Sequence, residues 1–463
     1  MLRRVHLLFV VLITLAVSAS AAERPHVYLV VVDGLDARFV TPARTPRLLG
    51  LRAAEPERTS VFLDARGVMP ARTNSNHATL FTGAYAEAHG IVGNHYWNRK
   101  RGTGPQKMDD ATLIDVETLY TVAEETQPSL VTWGVFAKPK LGRLFAAASG
   151  RQRSPDELWS GERAPSSGRD STTGYSRDTA TVDALLALEN KAEPDLAFVN
   201  LADVDRAAHG HGPDGKECAQ AVSAADAAVG RLVDELHARG RWGRSVLIVT
   251  SDHGFTSLVP TAERPNPVIA LKPALEREGI TGIQLVADGG VEHVYAEAIA
   301  ADATDAGAAA AVLGRVAALA RAMSGVAEVL ARLPVPDVAS LTVAHPDWHL
   351  QNQRAGDLLL VAAPGYEFVD PAGDDATLGG NHGAPGELRV PLIVTGGSSA
   401  IHAAPDGTPP PVAVDVAPTV AALLGLRIPR RVNGEAVPEA QMGRVMRGVL
   451  ADAGATARTA GNN

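Results

Sequence analysis

Six stretches of the chain are apolar with no polar alternation. They are His26–Val32 (HVYLVVV), Ser129–Ala137 (SLVTWGVFA), Leu196–Leu201 (LAFVNL), Ser245–Thr250 (SVLIVT), Asp357–Ala362 (DLLLVA) and Val390–Thr395 (VPLIVT). A run apolar on both faces predicts a central strand covered by helices on each side. Between these runs the apolar period lengthens to that of a helix. Asp178–Leu188 is amphipathic, and Glu217–Ala238 carries Val222, Val229, Leu232, Val233 and Leu236 on one face, with Gly240 just past its end. Asp415–Leu426 (DVAPTVAALLGL) reads as a third helix with Pro418 near its start. Strand and helix alternating in this way predict an α/β fold with a mostly parallel sheet. Phe255–Arg332 breaks the rhythm with shorter strands at Ile283–Val286 and Val291–Ala296 and an Ala-rich helix at Asp305–Ala320. We read it as an inserted cap lobe. Gly150–Thr173 is polar and rich in Pro, Gly and Ser, which predicts a loop and a candidate flap.

The chemistry lies where the apolar runs end. In open α/β sheets ligands bind beyond the carboxyl ends of the strands. Asp33 follows the first run, and Asp252-His253 follows SVLIVT. LAFVNL leads into Asp203-Val204-Asp205-Arg206-Ala207-Ala208-His209-Gly210-His211. Asp205 and His209 are one helical turn apart, so both face one side and suit a divalent metal, with Asp203 and His211 as rivals. His382 sits among glycines in GGNHG, which permits close approach to a ligand. Thr73 lies in the polar turn Arg72–His77, before an apolar run (Ala78–Gly83) that reads as the start of a helix. A hydroxyl there is either an N-cap or a group facing a phosphate on the helix N-terminus. Two of the seven lysines, Lys138 and Lys140, flank Pro139 at a strand end, where they are either solvated or hold an anionic oxygen.

Composition narrows the class. The 463 residues suit one large core with an inserted lobe, or two domains. A net charge of −9 excludes a general binder of nucleic-acid duplexes or anionic membranes, but not a small anionic substrate at a local metal site. Cys218 is the only cysteine, so no internal disulfide forms. Arg3-Arg4, the apolar Leu7–Val17 and Ala19-Ser20-Ala21 read as a secretory signal peptide over residues 1–21. No later stretch reaches the roughly 18 apolar residues of a membrane span. A periplasmic or secreted protein is expected.

Six Asp and His residues with one hydroxyl suffice for two zinc-type ions and an open side for substrate. Taken in order, VVDG at Asp33, the Thr-x-x-Asn-His turn at Thr73, HGIVGN ending at Asn94, DxxxH at Asp205/His209, SDHG at Asp252/His253 and GNHG at His382 resemble the alkaline phosphatase superfamily. Within it they are most similar to the type I phosphodiesterase/nucleotide pyrophosphatase family. The resemblance runs from about residue 25 to 437. It implies a three-layer α/β/α core with an inserted cap lobe. The expected boundaries are a core over 22–255 and 346–440, a lobe over 256–345 and a tail over 441–463. It implies one zinc on Asp205, His209 and His382, and a second on Asp33, Asp252, His253 and the Thr73 hydroxyl. Thr73 would then attack phosphorus and form a phosphothreonine, with Asn94 donating to a phosphoryl oxygen.

Two features depart from nucleotide-cleaving members. The residue after Thr73 is Asn74, where those members place an aromatic ring; Tyr96, Trp97, Trp159 and Tyr175 are the candidate substitutes. Lys138 and Lys140 resemble the lysine pair of phosphomonoesterases and phosphonoacetate hydrolases of the same superfamily. The leading expectation is therefore a dizinc phosphodiesterase or nucleotide pyrophosphatase. The alternative is a phosphomonoesterase or phosphonate hydrolase that uses Lys138 and Lys140. A catalytically dead binding protein of the same fold, and a metal-free Thr/His/Asp triad, are the readings from other classes.

Overall fold

The computed structural model describes residues 24–147, 150–369 and 379–451. Residues 1–21, Leu378 and the end of the tail lie outside the described residues.

A seven-stranded sheet forms the centre, in the order Ser60–Arg66, Arg389–Thr395, Ser245–Thr250, His26–Val32, Leu196–Leu201, Thr132–Phe136, Glu157–Ser160. Four pairings are parallel, and Arg389–Thr395 runs antiparallel to both its neighbours. His26–Val32 shows why the run is apolar throughout. Val27, Leu29 and Val31 enter one hydrophobic core, while Tyr28, Val30 and Val32 enter a second on the other face. The helix Lys216–Ala238 seals the second core with Val222, Val229, Leu232, Val233 and Leu236. On the opposite face Leu80 and Phe81 of helix Thr73–Thr82 pack with Val420 and Leu424 of helix Val416–Leu424. The layers are α/β/α, as expected.

A second sheet of five strands follows the order Ile283–Asp288, Val291–Ala296, Leu358–Ala362, Val326–Ala331, Ala339–Ser340. Helix Ala310–Arg321 covers it with Leu313, Val316, Ala317 and Ala320, giving it a separate core. The apolar run at Asp357–Ala362 was expected in the main sheet. Its strand instead pairs with Val291–Ala296 and Val326–Ala331. An apolar run reports burial on both faces, but not which sheet supplies the neighbours. The expected loop at 150–173 also contains a strand, Glu157–Ser160, at the edge of the main sheet. A four-residue edge strand with polar residues has too little alternation to be read from sequence.

Candidate active site

Thr73 is the first residue of its helix, with Arg72 extended before it. All ten residues of this helix are buried, including Asn74, Ser75, Asn76 and His77. Phe81 fixes the far end by stacking on Phe198 at 4.4 Å and meeting Tyr120 edge-on. Losing such a ring costs about 3–5 kcal/mol, so the helix has no freedom to drift. The Thr73 hydroxyl lies 3.4 Å from His253 Nε2 and 3.4 Å from Lys138 Nζ.

The strand ends bring the expected acids and imidazoles to that hydroxyl. His209 Nε2 and His382 Nε2 are 3.4 and 3.7 Å from Asp205 Oδ1. His253 Nε2 is 3.5 Å from Asp33 Oδ1, 3.4 Å from Asp252 Oδ2 and 3.9 Å from Asp205 Oδ1. Gly34 has φ 74°, and its N–H donates to Asp252 Oδ1 at 3.1 Å; a Cβ there would stand 2.6 Å from Phe255. The rivals are elsewhere. Asp203 pairs with Arg206 at 3.0 Å and accepts from the Asp178 N–H, and His211 is exposed.

Each of the three imidazoles is held the same way. Nδ1 of His209, His253 and His382 lies 3.0, 3.1 and 2.7 Å from the carbonyls of Gly380, Gly254 and Ala71. A carbonyl only accepts, so Nδ1 carries the proton and Nε2 turns its lone pair inward. Burial pushes His253 down to about 4 and holds His382 well below its ordinary value, which keeps both neutral.

Three groups of ligand atoms lie within 4.8 Å of one another: Asp205/His209/His382, Asp33/Asp205/His253 and Asp33/His77/Asp252. The first is the expected first metal set. Asp33, Asp252 and His253 of the expected second set are divided between the other two. His77 entered no expected set, and its hydrogen bonds give it another role. Asn200 Nδ2 donates to Asp33 Oδ2 at 3.0 Å and lies 3.2 Å from His77 Nε2, so Nε2 accepts. Its protonated Nδ1 then faces the Thr73 carbonyl at 2.9 Å and Asp252 Oδ2 at 3.3 Å. His77 therefore orients Asp252. Asn200 had a visible signal, as the one amide inside LAFVNL; His77 had only its position in the turn after Thr73.

The donor set fits divalent ions. Asp205 Oδ1 is buried with no hydrogen-bond donor among the described residues, and Asp252 Oδ2 is approached only by the His77 N–H, at 3.3 Å. Burial, with Asp252 next to it, raises Asp33 well above the ordinary carboxyl value. Burial opposes ionisation of Asp205 as well, but Lys138 and His209 hold it low. Lys138 Nζ lies 2.8 Å from both Asp33 Oδ1 and Asp205 Oδ2. Burial would depress this lysine, yet the two carboxylates raise it above its ordinary value, so it stays charged. Three crowded carboxylates need more positive charge than one ammonium supplies, and carboxylate oxygens with imidazole nitrogens are ligands for zinc-type ions.

Substrate-facing groups surround this centre. Asn94 Oδ1 accepts the Asn74 N–H at 3.0 Å, which leaves its amide nitrogen as the free donor. Asn74 is buried and donates to the Met108 carbonyl, so it offers no stacking surface. Among the candidate aromatic substitutes, Tyr175 stands next to Lys138, whose Nζ is 5.7 Å from the ring centre. Tyr96 and Trp97 are buried, and Trp159 packs against the second core. Burial and the neighbouring Lys138 push Lys140 down to about 7.

These groups form one buried cluster of carboxylates and imidazoles beside a hydroxyl, built on an α/β/α sheet. The model of the type I phosphodiesterase/nucleotide pyrophosphatase family matches residues 27–385, and the chain belongs to that family. Human ectonucleotide pyrophosphatase/phosphodiesterase family member 7 is 26% identical over 287 residues, covering 59% of this chain and 54% of its own. A bovine bis(5′-adenosyl)-triphosphatase is 26% identical, covering 52% and 49%. The chain thus matches about half the length of these curated relatives. Among solved structures, an inactive murine ectonucleotide pyrophosphatase/phosphodiesterase 5 in complex with AMP superposes with TM-score 0.66 at 20% identity, covering 89% of this chain and 96% of that one. Phosphonoacetate hydrolase from Sinorhizobium meliloti, in complex with phosphonoformate, gives 0.63 at 20% identity, covering 87% and 96%. At such identities these two likenesses bear on the fold alone. No described helix is long and apolar enough to cross a membrane.

Proposed function

We propose that the protein is an exported phosphoric ester hydrolase of the phosphodiester or nucleotide pyrophosphate type, acting through Thr73 with two divalent ions, zinc in the first instance. The observation that carries this is the Thr73 hydroxyl, first in its helix and within 3.4 Å of both His253 Nε2 and Lys138 Nζ. Ions held by Asp205, His209 and His382, and by Asp33, Asp252 and His253, would lower the pKa of the hydroxyl and offset charge on the phosphoryl group. Thr73 Oγ forms the new bond to phosphorus while the bond to the leaving oxygen breaks, giving a phosphothreonine. Water then cleaves it, releasing phosphate or a phosphomonoester and restoring the hydroxyl. The Asn94 amide donates to a phosphoryl oxygen, and the N–H groups of the helix start favour the same negative charge. Tyr175 supplies a ring near the leaving group. Family membership, and the likeness to a bovine bis(5′-adenosyl)-triphosphatase, support a nucleotide-like substrate.

A second reading keeps the nucleophile and changes the substrate. Lys138 and Lys140 put two amines at one strand end, which favours a dianionic monoester, or a phosphonate with a carboxylate. The test is the ratio of turnover of bis(p-nitrophenyl) phosphate to p-nitrophenyl phosphate, with zinc, with chelator and in Thr73→Ala. A diester preference lost on chelation and in the variant supports the first reading. A monoester preference with the same dependences moves the assignment to the second. Activity that survives both treatments defeats the two together.

A further inference from the structure

The smaller sheet sends one side chain into the site. Asp288 ends the strand Ile283–Asp288 and is fully buried. Its Oδ2 accepts the backbone N–H of Asn94 at 2.7 Å. Its Oδ1 lies 3.0 Å from Arg72 Nε, in an ion pair whose guanidinium is also largely buried. Arg72 immediately precedes Thr73. Its Nη1 donates to the His382 carbonyl at 2.8 Å and to Asn381 Oδ1 at 3.2 Å. The turn after Asp288 adds a bond from the Gly290 N–H to the same His382 carbonyl at 3.0 Å. The packing leaves no slack. A Cβ on Gly93 would stand 2.2 Å from Asp288 Oδ2, one on Gly289 would stand 2.1 Å from the His382 carbonyl, and one on Gly383 would stand 2.7 Å from the Asp288 carbonyl.

We propose that Asp288 is a positioning residue for the phosphoryl-transfer site, one carboxylate oxygen setting the Asn94 loop and the other, through Arg72, setting the nucleophile turn and His382. Nothing in the core of the smaller sheet requires a carboxylate at this point. That core is closed by apolar side chains on the helix-covered face. A turn Asp before Gly-Gly would ordinarily face water; this one is buried against three segments of the main body. A buried carboxylate with two partners, each leading to a different working group, transmits the seating of the lobe to the reaction centre.

The inference rests on the hydrolase reading above, and its test has an arm that does not. The variants are Asp288→Asn, which keeps an acceptor for Asn94 and removes the charge facing Arg72, and Gly93→Ala, which displaces the carboxylate without altering it. Three quantities are measured on each: zinc affinity by competition with a chromophoric chelator, kcat and KM on the better aryl ester, and the melting temperature. Outer contacts to metal-binding side chains typically change affinity by about 10–100-fold, so zinc binding is expected to weaken by roughly 10-fold. In the same variants kcat should fall by at least about 10-fold, with KM moving far less, because the displaced groups serve the transferring phosphoryl group. Arg72→Met combined with Asp288→Asn should cost no more than the worse single variant, as residues acting in series do. Zinc affinity and kcat within twofold of wild type in folded Asp288→Asn and Gly93→Ala would overturn the proposal, as would lowered melting alone. Should the unaltered protein hydrolyse no phosphoester, the hydrolase reading fails by itself. The zinc arm then decides the role of Asp288.

Discussion

Lys138→Met tests how charge is balanced at the centre. The Lys138 side chain is 2% exposed, and its ammonium sits 2.8 Å from a carboxylate oxygen of Asp33 and of Asp205. At an effective dielectric of about 20, a single charge pair at this distance interacts by roughly 6 kcal/mol before desolvation is subtracted. Removing one partner of a buried pair costs about 3–5 kcal/mol net, because the remaining charge stays buried. Unfolding entropy near 2.1 cal/mol/K per residue gives a chain of this size about 1.0 kcal/mol/K, so the loss corresponds to roughly 3–5 °C in melting temperature. That figure applies to protein held in chelator. With saturating zinc, ions on the same carboxylates supply the missing charge, and the difference from wild type should fall below half. Differential scanning fluorimetry on both proteins, with chelator and with zinc, gives all four melting temperatures. An equal or larger gap in zinc would refute the reasoning, since Lys138 would then stabilise the fold independently of the ion-holding acids.

Other outcomes follow from the same chemistry. Glu387 is buried, accepts the Ala384 N–H at 2.8 Å and is pushed up to about 8 by burial, against 4.5 when unfolded. Its raised value means that between pH 4.5 and 8 the folded state keeps a proton the unfolded state has lost, so stability falls as pH rises through that window. Glu387→Gln is therefore expected to gain on wild type in melting temperature from pH 5 to pH 8; a constant difference would show that Glu387 is ionised in the fold. Asp205 belongs to two ligand groups and His209 to one. Bound zinc per chain, measured by atomic emission, should fall further in Asp205→Asn than in His209→Ala, and equal losses would contradict the shared position of Asp205.

The main sheet and the cluster were legible for one reason. Buried parallel strands must be apolar on both faces, so a polar residue directly after each one stands out. Asp33 and Asp252-His253 are such residues, and the one-turn spacing of Asp205 and His209 follows from helical geometry. Strand direction and sheet membership left no such mark. Arg389–Thr395 looks like the parallel strands of the sheet although it runs antiparallel to both its neighbours, and Leu358–Ala362 is as apolar as the main-sheet strands although it belongs to the other sheet. Asn200 could have been found, because an amide within LAFVNL has to be satisfied by something. Asp288 could not, because Asp-Gly-Gly after a strand has the composition of an ordinary turn. Only the packing of the smaller sheet against the main body gives it neighbours.

The three imidazoles are anchored to main-chain carbonyls of Ala71, Gly254 and Gly380, not to side chains. A carbonyl is present whatever residue occupies its position, so no single substitution can delete these anchors. The three anchors are thereby insulated from mutational drift, while Lys140 and Tyr175 around the centre take no part in them. A chain built in this way can change the side chains around its centre over evolutionary time and keep the same three imidazoles in place.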